Sequence, residues 1–257
     1  LYLPLTVGAR VVIAGRDEAI DGETLKKLLN DNGANVMQAT PVTWRLLLES
    51  GWTGGLGFKV LIGGEALPKD LAEQLLVTGV EVWNMYGPTE TTVWSTCARI
   101  TDVTHGISIG TPIDNTQVYI LDQHKNLCPA GIPGELFIGG DSVTLGYWQR
   151  PELTEDRFIE NPVPNAPAGR IYATGDKARW RSDGMLEHLG RLDDQVKVRG
   201  YRVELGEIEA RIAEHPDIKE AAVRLWSVSE DDVRVVACCI PEQSKRLSAV
   251  SLRKHLR

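Results

Sequence analysis

Long apolar runs are missing from this sequence. No stretch of its 257 residues approaches the roughly 20 consecutive apolar residues that a membrane-spanning helix needs, so no membrane partner is expected. The opening LYLPLTVGARVV is apolar, but it carries neither a basic leader nor a small-residue cleavage pattern. It reads as the interior of an interrupted domain, not as a signal peptide. Excess positive charge is also missing. The net charge is −7, which argues against a nucleic-acid surface. The basic residues near the end, Lys245, Arg246, Arg253, Lys254 and Arg257, read as the solvated face of a helix. Cysteine is scarce: Cys97, Cys128, Cys238 and Cys239, none in a CxxC pair. Cys238 and Cys239 adjoin in the β-like run VRVVACCI, where neighbours point to opposite faces, so they do not bridge. Reduced thiols in a cytoplasmic protein are the simple expectation. Five scattered histidines supply no metal-ligand spacing. There is no GxSxG elbow and no evident nucleophile with a paired base.

What is present is an ordinary globular composition, 42% hydrophobic and 25% charged, long enough for a large core and more than one domain. The run VVIA at 11–14 is a buried-strand candidate. Residues 22–32 place Leu25, Leu28 and Leu29 at helical spacing, with Gly33 as a stop. Residues 35–39 and 59–62 read as strands. Thr40-Pro41 caps a helix reaching about Glu49, and Pro68 opens another with Leu71, Leu75 and Leu76 inward. Strand alternating with helix means α/β with a parallel sheet, whose ligands sit beyond the carboxyl ends of the strands. Gln38, Gly63 and Met85 all stand at such ends.

From Asp102 the texture changes. QVYILD, GELFIGG, RIYATGD, ARWR and LEHLG alternate between Pro and Gly punctuation and read as antiparallel strands of a small barrel or sandwich. PELTEDRF, 151–158, reads as a short helix, and PVPNAPAG, 162–169, as a surface loop. DQVKVRGYRV, 194–203, reads as a hairpin around Arg199-Gly200. An amphipathic helix with Ile208 and Ile212 inward follows, then two strands and a last helix from about Ser248.

The stretch on which these elements converge is NMYGPTETTVW, 84–94. Gly87 permits close backbone approach and Pro88 fixes the turn. Thr89 and Thr91 can bond phosphate oxygens. Glu90 is a hard oxygen ligand suited to Mg²⁺, which commonly takes one or two carboxylates plus substrate phosphates. Tyr86 offers a flat face and Asn84 an amide, a pair able to hold a purine. The same residues also suit a plain polar turn after a strand.

NMYGPTETT resembles the signature of adenylate-forming enzymes, in the form typical of adenylation domains of nonribosomal peptide synthetases. LIGGEAL (61–67), GELFIGGDSVTLGYWQRPELTEDRF (134–158), IYATGDKARW (171–180) and GRLDDQVKVRGYRVELGEIE (190–209) agree with it in the family's order, so the resemblance covers essentially the whole chain. It implies ATP-dependent activation of an amino acid to an aminoacyl-adenylate, pyrophosphate release, and transfer to the phosphopantetheine thiol of a peptidyl carrier domain, beside a condensation domain of the same synthetase. The expected architecture is a parallel α/β subdomain over 1–101, a small antiparallel β-barrel subdomain over 102–192, and an incomplete, small, mobile α+β C-terminal domain over 193–257.

By resemblance, Asn84 and Tyr86 hold adenine, Gly64 and Gly87 let backbone approach the nucleotide, Thr89 bonds phosphate and Glu90 positions Mg²⁺. Asp176 accepts both ribose hydroxyls and Arg191 touches the ribose. His188 stands where the family usually has an aromatic ring, often tyrosine, a departure that leaves its role open. Asp193 matches the hinge. Lys197, Arg199 and Gly200 match the loop that turns towards the site for thioester formation. The substrate side-chain pocket corresponds to Gln38, Leu61, Gly63, Met85, Val93 and Trp94. An indole from Trp94 would fill most of such a pocket and exclude large side chains by overlap. A small amino acid is therefore expected, and the pattern Gln38-Leu61-Gly63, then Val93-Trp94, resembles that of glycine-activating domains, with alanine as runner-up. The family's phosphate loop, its ammonium-binding aspartate and its C-terminal lysine are absent from these residues, so the chain is expected to be a fragment, inactive alone. An acyl-coenzyme A or aryl-acid synthetase of the same superfamily, and a non-catalytic adenylate-binding module, are the competing readings.

Overall fold

The computed structural model describes residues 2–167, 169–193, 195–198, 201–227, 233–242 and 248–256. The chain separates into two compact units, Leu1–Gly190 and Arg191–Arg257.

The first unit begins with two short helices, α1 (Tyr2–Thr6) and α2 (Arg16–Ala19), then α3 (Gly22–Asp31). Asp21 caps α3, its carboxylate accepting the Thr24 N–H at 2.8 Å, and Leu25 and Leu29 point inward. The VVIA run between α1 and α2 is not a strand. Residues 11–14 carry no regular structure, and Ile13 is 75% exposed. Four apolar residues fix a strand only when a neighbouring strand accepts their hydrogen bonds, and none of the described strands pairs with them.

Next come β1 (Val36–Ala39), α4 (Pro41–Glu49), β2 (Lys59–Ile62), α5 (Lys69–Val77) and β3 (Glu81–Tyr86). β1, β2 and β3 pair in parallel, as strands joined through helices do. Two further strands, β4 (Thr96–Ile100) and β5 (Thr111–Pro112), extend the sheet antiparallel. Its order is β1-β2-β3-β4-β5. Pleating sends alternate residues to opposite faces. Val60, Ile62 and Val82 face a core with Trp44, Leu47, Leu71 and Leu75 from α4 and α5. The other face presents Gln38, Leu61, Trp83, Met85 and Cys97, all half-buried or exposed.

The second sheet contains β6 (Thr116–Leu121), β7 (Gly134–Gly140), then, after α6 (Pro151–Arg157), β8 (Phe158–Glu160), β9 (Arg170–Trp180) and β10 (Leu186–Arg191). Its path is β10-β9-β7-β6, with β8 beside β9, and the β6–β7, β7–β9 and β8–β9 pairings are antiparallel. A bridge between Gly110 and Leu186, with the Ser108 hydroxyl on the Leu186 carbonyl at 2.7 Å, joins the end of this sheet to the first. The fold is therefore α/β with an antiparallel second subdomain.

The second unit holds the hairpin β11 (Gln195–Val198) and β12 (Tyr201–Glu204), helix α7 (Leu205–Ala213), the long pair β13 (Ile218–Ser227) and β14 (Val233–Pro241), and α8 (Ala249–His255). Leu205, Ile212, Ile218 and Val223 form its own core, with Ile208 packed against it.

Candidate active site

β3 runs straight into the GPTE turn, and alternation along it sorts the site residues. Asn84 and Tyr86 fall on one face, and Trp83 and Met85 on the other. Asn84 is 4% exposed, and its amide donates to the Ser108 carbonyl at 2.8 Å. Tyr86 reaches the core of the second sheet, among Ile109, Leu136 and Leu186.

Past Gly87 and Pro88 the chain makes a single 3₁₀ turn, Thr89–Thr91, and then doubles back. A Cβ on Gly87 would stand 2.4 Å from the Val93 carbonyl oxygen and 2.7 Å from Trp94 Cα. The close approach that this glycine permits is therefore to its own returning chain. Thr92 and Val93 both have positive φ, 58° and 77°, an uncommon conformation for any β-branched residue. The turn is held at its flanks. Thr91 Oγ1 and Ser95 Oγ lie 2.6 Å apart in a fully buried pair, and the Thr92 hydroxyl donates to the Ser142 carbonyl at 2.7 Å. Thr89 is exposed. Glu90 is buried at 8% exposure, and its carboxylate accepts the Tyr147 hydroxyl at 2.6 Å.

A second carboxylate comes from β9. Opposite Leu136 the register of β9 slips, so Thr174-Gly175-Asp176 bulge. Gly175 at φ +72° supplies the left-handed residue such a bulge uses. Thr174 Oγ1 accepts the Asp176 N–H at 3.0 Å and donates to the Leu136 carbonyl at 2.7 Å. Asp176, 6% exposed, accepts the Tyr86 hydroxyl at 2.5 Å. Its other oxygen lies 3.4 Å from His188 Nε2. The His188 ring sits 5.8 Å from that of Tyr86, and its Nδ1 accepts the Gly190 N–H at 3.3 Å. With Nδ1 as acceptor, the ring proton is on Nε2, facing the carboxylate. The structure thus gathers Tyr86, Asp176 and His188 into one polar cluster.

On the opposite face, Gln38 and Leu61 are cross-strand neighbours, and Gly63 continues their row. The Trp94 indole lies over Gly63: a Cβ there would be 2.2 Å from Cη2 and 2.5 Å from Cζ3. Gly64 follows, in left-handed backbone at φ +90°. Met85 pairs with Cys97 on β4, their sulfurs 3.2 Å apart, and burial pushes the Cys97 thiol up. Trp83 Nε1 is buried without a partner among the described residues. Val93 points outward, 58% exposed.

Arg191 and Asp193 belong to the second unit, where they pair two-pronged, Nε–Oδ1 at 2.6 Å and Nη2–Oδ2 at 2.7 Å. The Lys197 side chain, Arg199 and Gly200 lie outside the described residues. Among those residues no group of three or more His, Cys, Asp or Glu side chains could hold a metal. A single buried carboxylate such as Glu90 nonetheless fits Mg²⁺, which completes its shell with phosphate oxygens and water. The sequence alone assigns no role to Tyr147 or Cys97. Tyr147 lies within the 134–158 stretch, but nothing local ties it to a partner 57 residues away.

A family model described as "AMP-binding enzyme" matches residues 1–148. The dimodular nonribosomal peptide synthase of Bacillus subtilis (strain 168) is 43% identical over 257 residues, all of this chain and 11% of that protein. Bacitracin synthase 3 of Bacillus licheniformis is 40% identical over 95% of this chain and 4% of its own length. The chain therefore spans a small part of the curated relatives it matches. Among solved structures, a four-domain nonribosomal peptide synthetase bound to AMP and glycine is 48% identical, with a TM-score of 0.70 over 99% of this chain and 19% of that one. A nonribosomal peptide synthetase protein containing adenylation and PCP domains superposes at a TM-score of 0.81 and 28% identity, over 91% and 41% of the two chains. With the family model covering more than half of its length and synthetases matching it over nearly all of its residues, this chain belongs to the AMP-binding enzyme family, in the form of the adenylation domains of nonribosomal peptide synthetases.

Proposed function

We propose that the chain carries nucleotide-binding and substrate-selecting parts of an amino-acid adenylation domain, and that the amino acid is glycine. In the reaction, a carboxylate oxygen of the amino acid attacks the α-phosphorus of ATP. The bond to pyrophosphate breaks, leaving aminoacyl-AMP. The sulfur of a carrier domain's phosphopantetheine then attacks the acyl carbon, and AMP departs. Chemistry of this kind is carried chiefly by positioning and charge offset.

The observation that carries the substrate is the Trp94 indole lying over Gly63, where even one added carbon would overlap the ring. An indole held there would take the space of a larger substrate side chain, and overlap discriminates more steeply than a lost contact does. The solved relative bound to AMP and glycine agrees with this reading. For the nucleotide, Asp176 would release the Tyr86 hydroxyl and accept the two ribose hydroxyls, with His188 Nε2 still facing the carboxylate and Tyr86 lying against the base. Asn84 is placed on the same face of β3, with its amide bonded to Ser108. Thr89 would meet phosphate from its exposed place on the turn. Mg²⁺ at Glu90 would offset phosphate charge. Asp193 would serve as the hinge before a mobile domain whose Lys197 loop completes the thioester step, and Arg191 would approach the ribose.

The test is amino-acid-dependent ATP–pyrophosphate exchange by the full-length protein, with glycine, alanine, valine and phenylalanine. Glycine is expected to support exchange at least tenfold above valine, since one misplaced methylene alone costs roughly 1–3 kcal/mol and the valine side chain is larger than that. Trp94→Ala should admit valine. Selectivity unchanged by Trp94→Ala would remove the pocket reading and leave the enzyme class. Exchange with an aryl or fatty acid alone would remove both glycine and the peptide-synthetase assignment of the activity.

A further inference from the structure

The segment 142–147, between β7 and α6, crosses the GPTE turn and fastens it at three points. The Thr92 hydroxyl donates to the Ser142 carbonyl at 2.7 Å, the Thr144 N–H donates to the Glu90 carbonyl at 2.9 Å, and the Tyr147 hydroxyl donates to Glu90 Oε1 at 2.6 Å. The first two hold backbone and the turn's edge. The third touches the carboxylate itself.

Tyr147 is well placed to hold a fixed direction. Its own N–H donates to Thr154 Oγ1 at 2.9 Å, anchoring the residue to α6. Its ring packs edge-on against Phe158 with centroids 5.5 Å apart, and Phe158 packs on Tyr172 at 5.1 Å. An ionised carboxylate can only accept, so the phenol is the donor of this hydrogen bond. A donor fixed by its own packing confines an acceptor carboxylate to one orientation. A Glu side chain held in this way has less freedom to lose on binding than a flexible one.

We propose that Tyr147 is a positioning residue for Glu90, ordering the carboxylate that takes the divalent cation of the metal–nucleotide complex. The inference rests on the metal reading of Glu90 given above. Tyr147 touches neither metal nor nucleotide in this account; it acts through Glu90.

The experiment measures Mn²⁺ affinity of the full-length protein by electron paramagnetic resonance, with α,β-methylene-ATP held saturating. Wild type, Tyr147→Phe and Glu90→Gln are compared, and AMP affinity is measured without metal. Tyr147→Phe keeps the ring on Phe158 and deletes only the hydroxyl. Its Mn²⁺ dissociation constant is expected to rise about tenfold, the range of one hydrogen bond to a charged group, while AMP affinity stays within twofold. The Mg²⁺ concentration for half-maximal pyrophosphate exchange should rise in step. If Glu90→Gln weakens Mn²⁺ binding and Tyr147→Phe does not, the positioning role is wrong and the metal reading stands. If Glu90→Gln leaves Mn²⁺ binding unchanged, the metal reading itself fails and the inference with it. If Tyr147→Phe weakens AMP and Mn²⁺ alike, the hydroxyl serves the fold, and positioning is overturned. Tyr172→Phe removes a hydroxyl 3.5 Å from that of Tyr147 and should leave Mn²⁺ affinity within twofold; a loss as large as that of Tyr147→Phe would also overturn the assignment.

Discussion

At the scale of single residues, the turn after β3 stores strain where it is least supported. Val93 combines a β-branched side chain, φ of 77° and 58% exposure. A non-glycine residue in that region costs on the order of 1–3 kcal/mol, while glycine gives back roughly 0.5–1 kcal/mol through a more mobile unfolded chain. Val93→Gly should therefore stabilise the first unit by about 1 kcal/mol, a rise of about 2–4 °C in melting temperature, read by thermal denaturation. A fall in Tm would show that Val93 makes contacts that outweigh its backbone strain. Residue types and motif order made Glu90, Asp176 and Trp94 legible in the sequence. Three relationships were not. Asp176 is presented by a register slip between strands, Tyr147 meets Glu90 across 57 positions, and His188 finds its carboxylate by pairing of β9 with β10. Each depends on a long-range register that no local window contains.

Among the elements, α4 and α5 are joined by a two-pronged ion pair, Arg45 Nη1 to Asp70 Oδ2 at 2.7 Å and Nη2 to Oδ1 at 2.9 Å. The guanidinium holds the Asp70 carboxyl below the usual range. A carboxyl depressed on folding adds stability above its unfolded value, near pH 4, and that stability is lost as pH falls through the lower folded value. Asp70 is 47% exposed at its side chain, so solvent screening limits the contribution to about 1 kcal/mol or less. Arg45→Met should lower stability to urea by about that amount at about pH 7, and the gap to wild type should close by about pH 2. A gap that persists in acid would mean that Arg45 stabilises by packing its stem and not by charge. The elements themselves were largely legible: α3, β1, α4, β2 and α5 fall where periodicity, capping and proline place them. VVIA misled because hydrophobicity without a partner strand cannot decide a strand. β4 was overlooked because TCARI mixes polar and apolar residues and is defined chiefly by its pairing with β3.

The whole molecule consists of a large unit with two sheets joined at Gly110 and Leu186 and a small unit with its own core. Ile212 is fully buried in that small core. Ile212→Ala should cost the second unit about 2–5 kcal/mol and hasten amide hydrogen exchange in α7, β13 and β14, while exchange in α3, α4 and α5 stays as in wild type. Equal acceleration in both units would mean that they unfold as one. The pattern of the thiols across these units has a practical side. Cys97, Cys128 and Cys239 are each pushed up by burial, whereas Cys238, on the outward side of β14, is exposed. A maleimide dye added briefly at neutral pH should therefore meet Cys238 first, on access alone. The small unit comes with its own site for a fluorescent reporter, and no change to the larger unit is needed to place it.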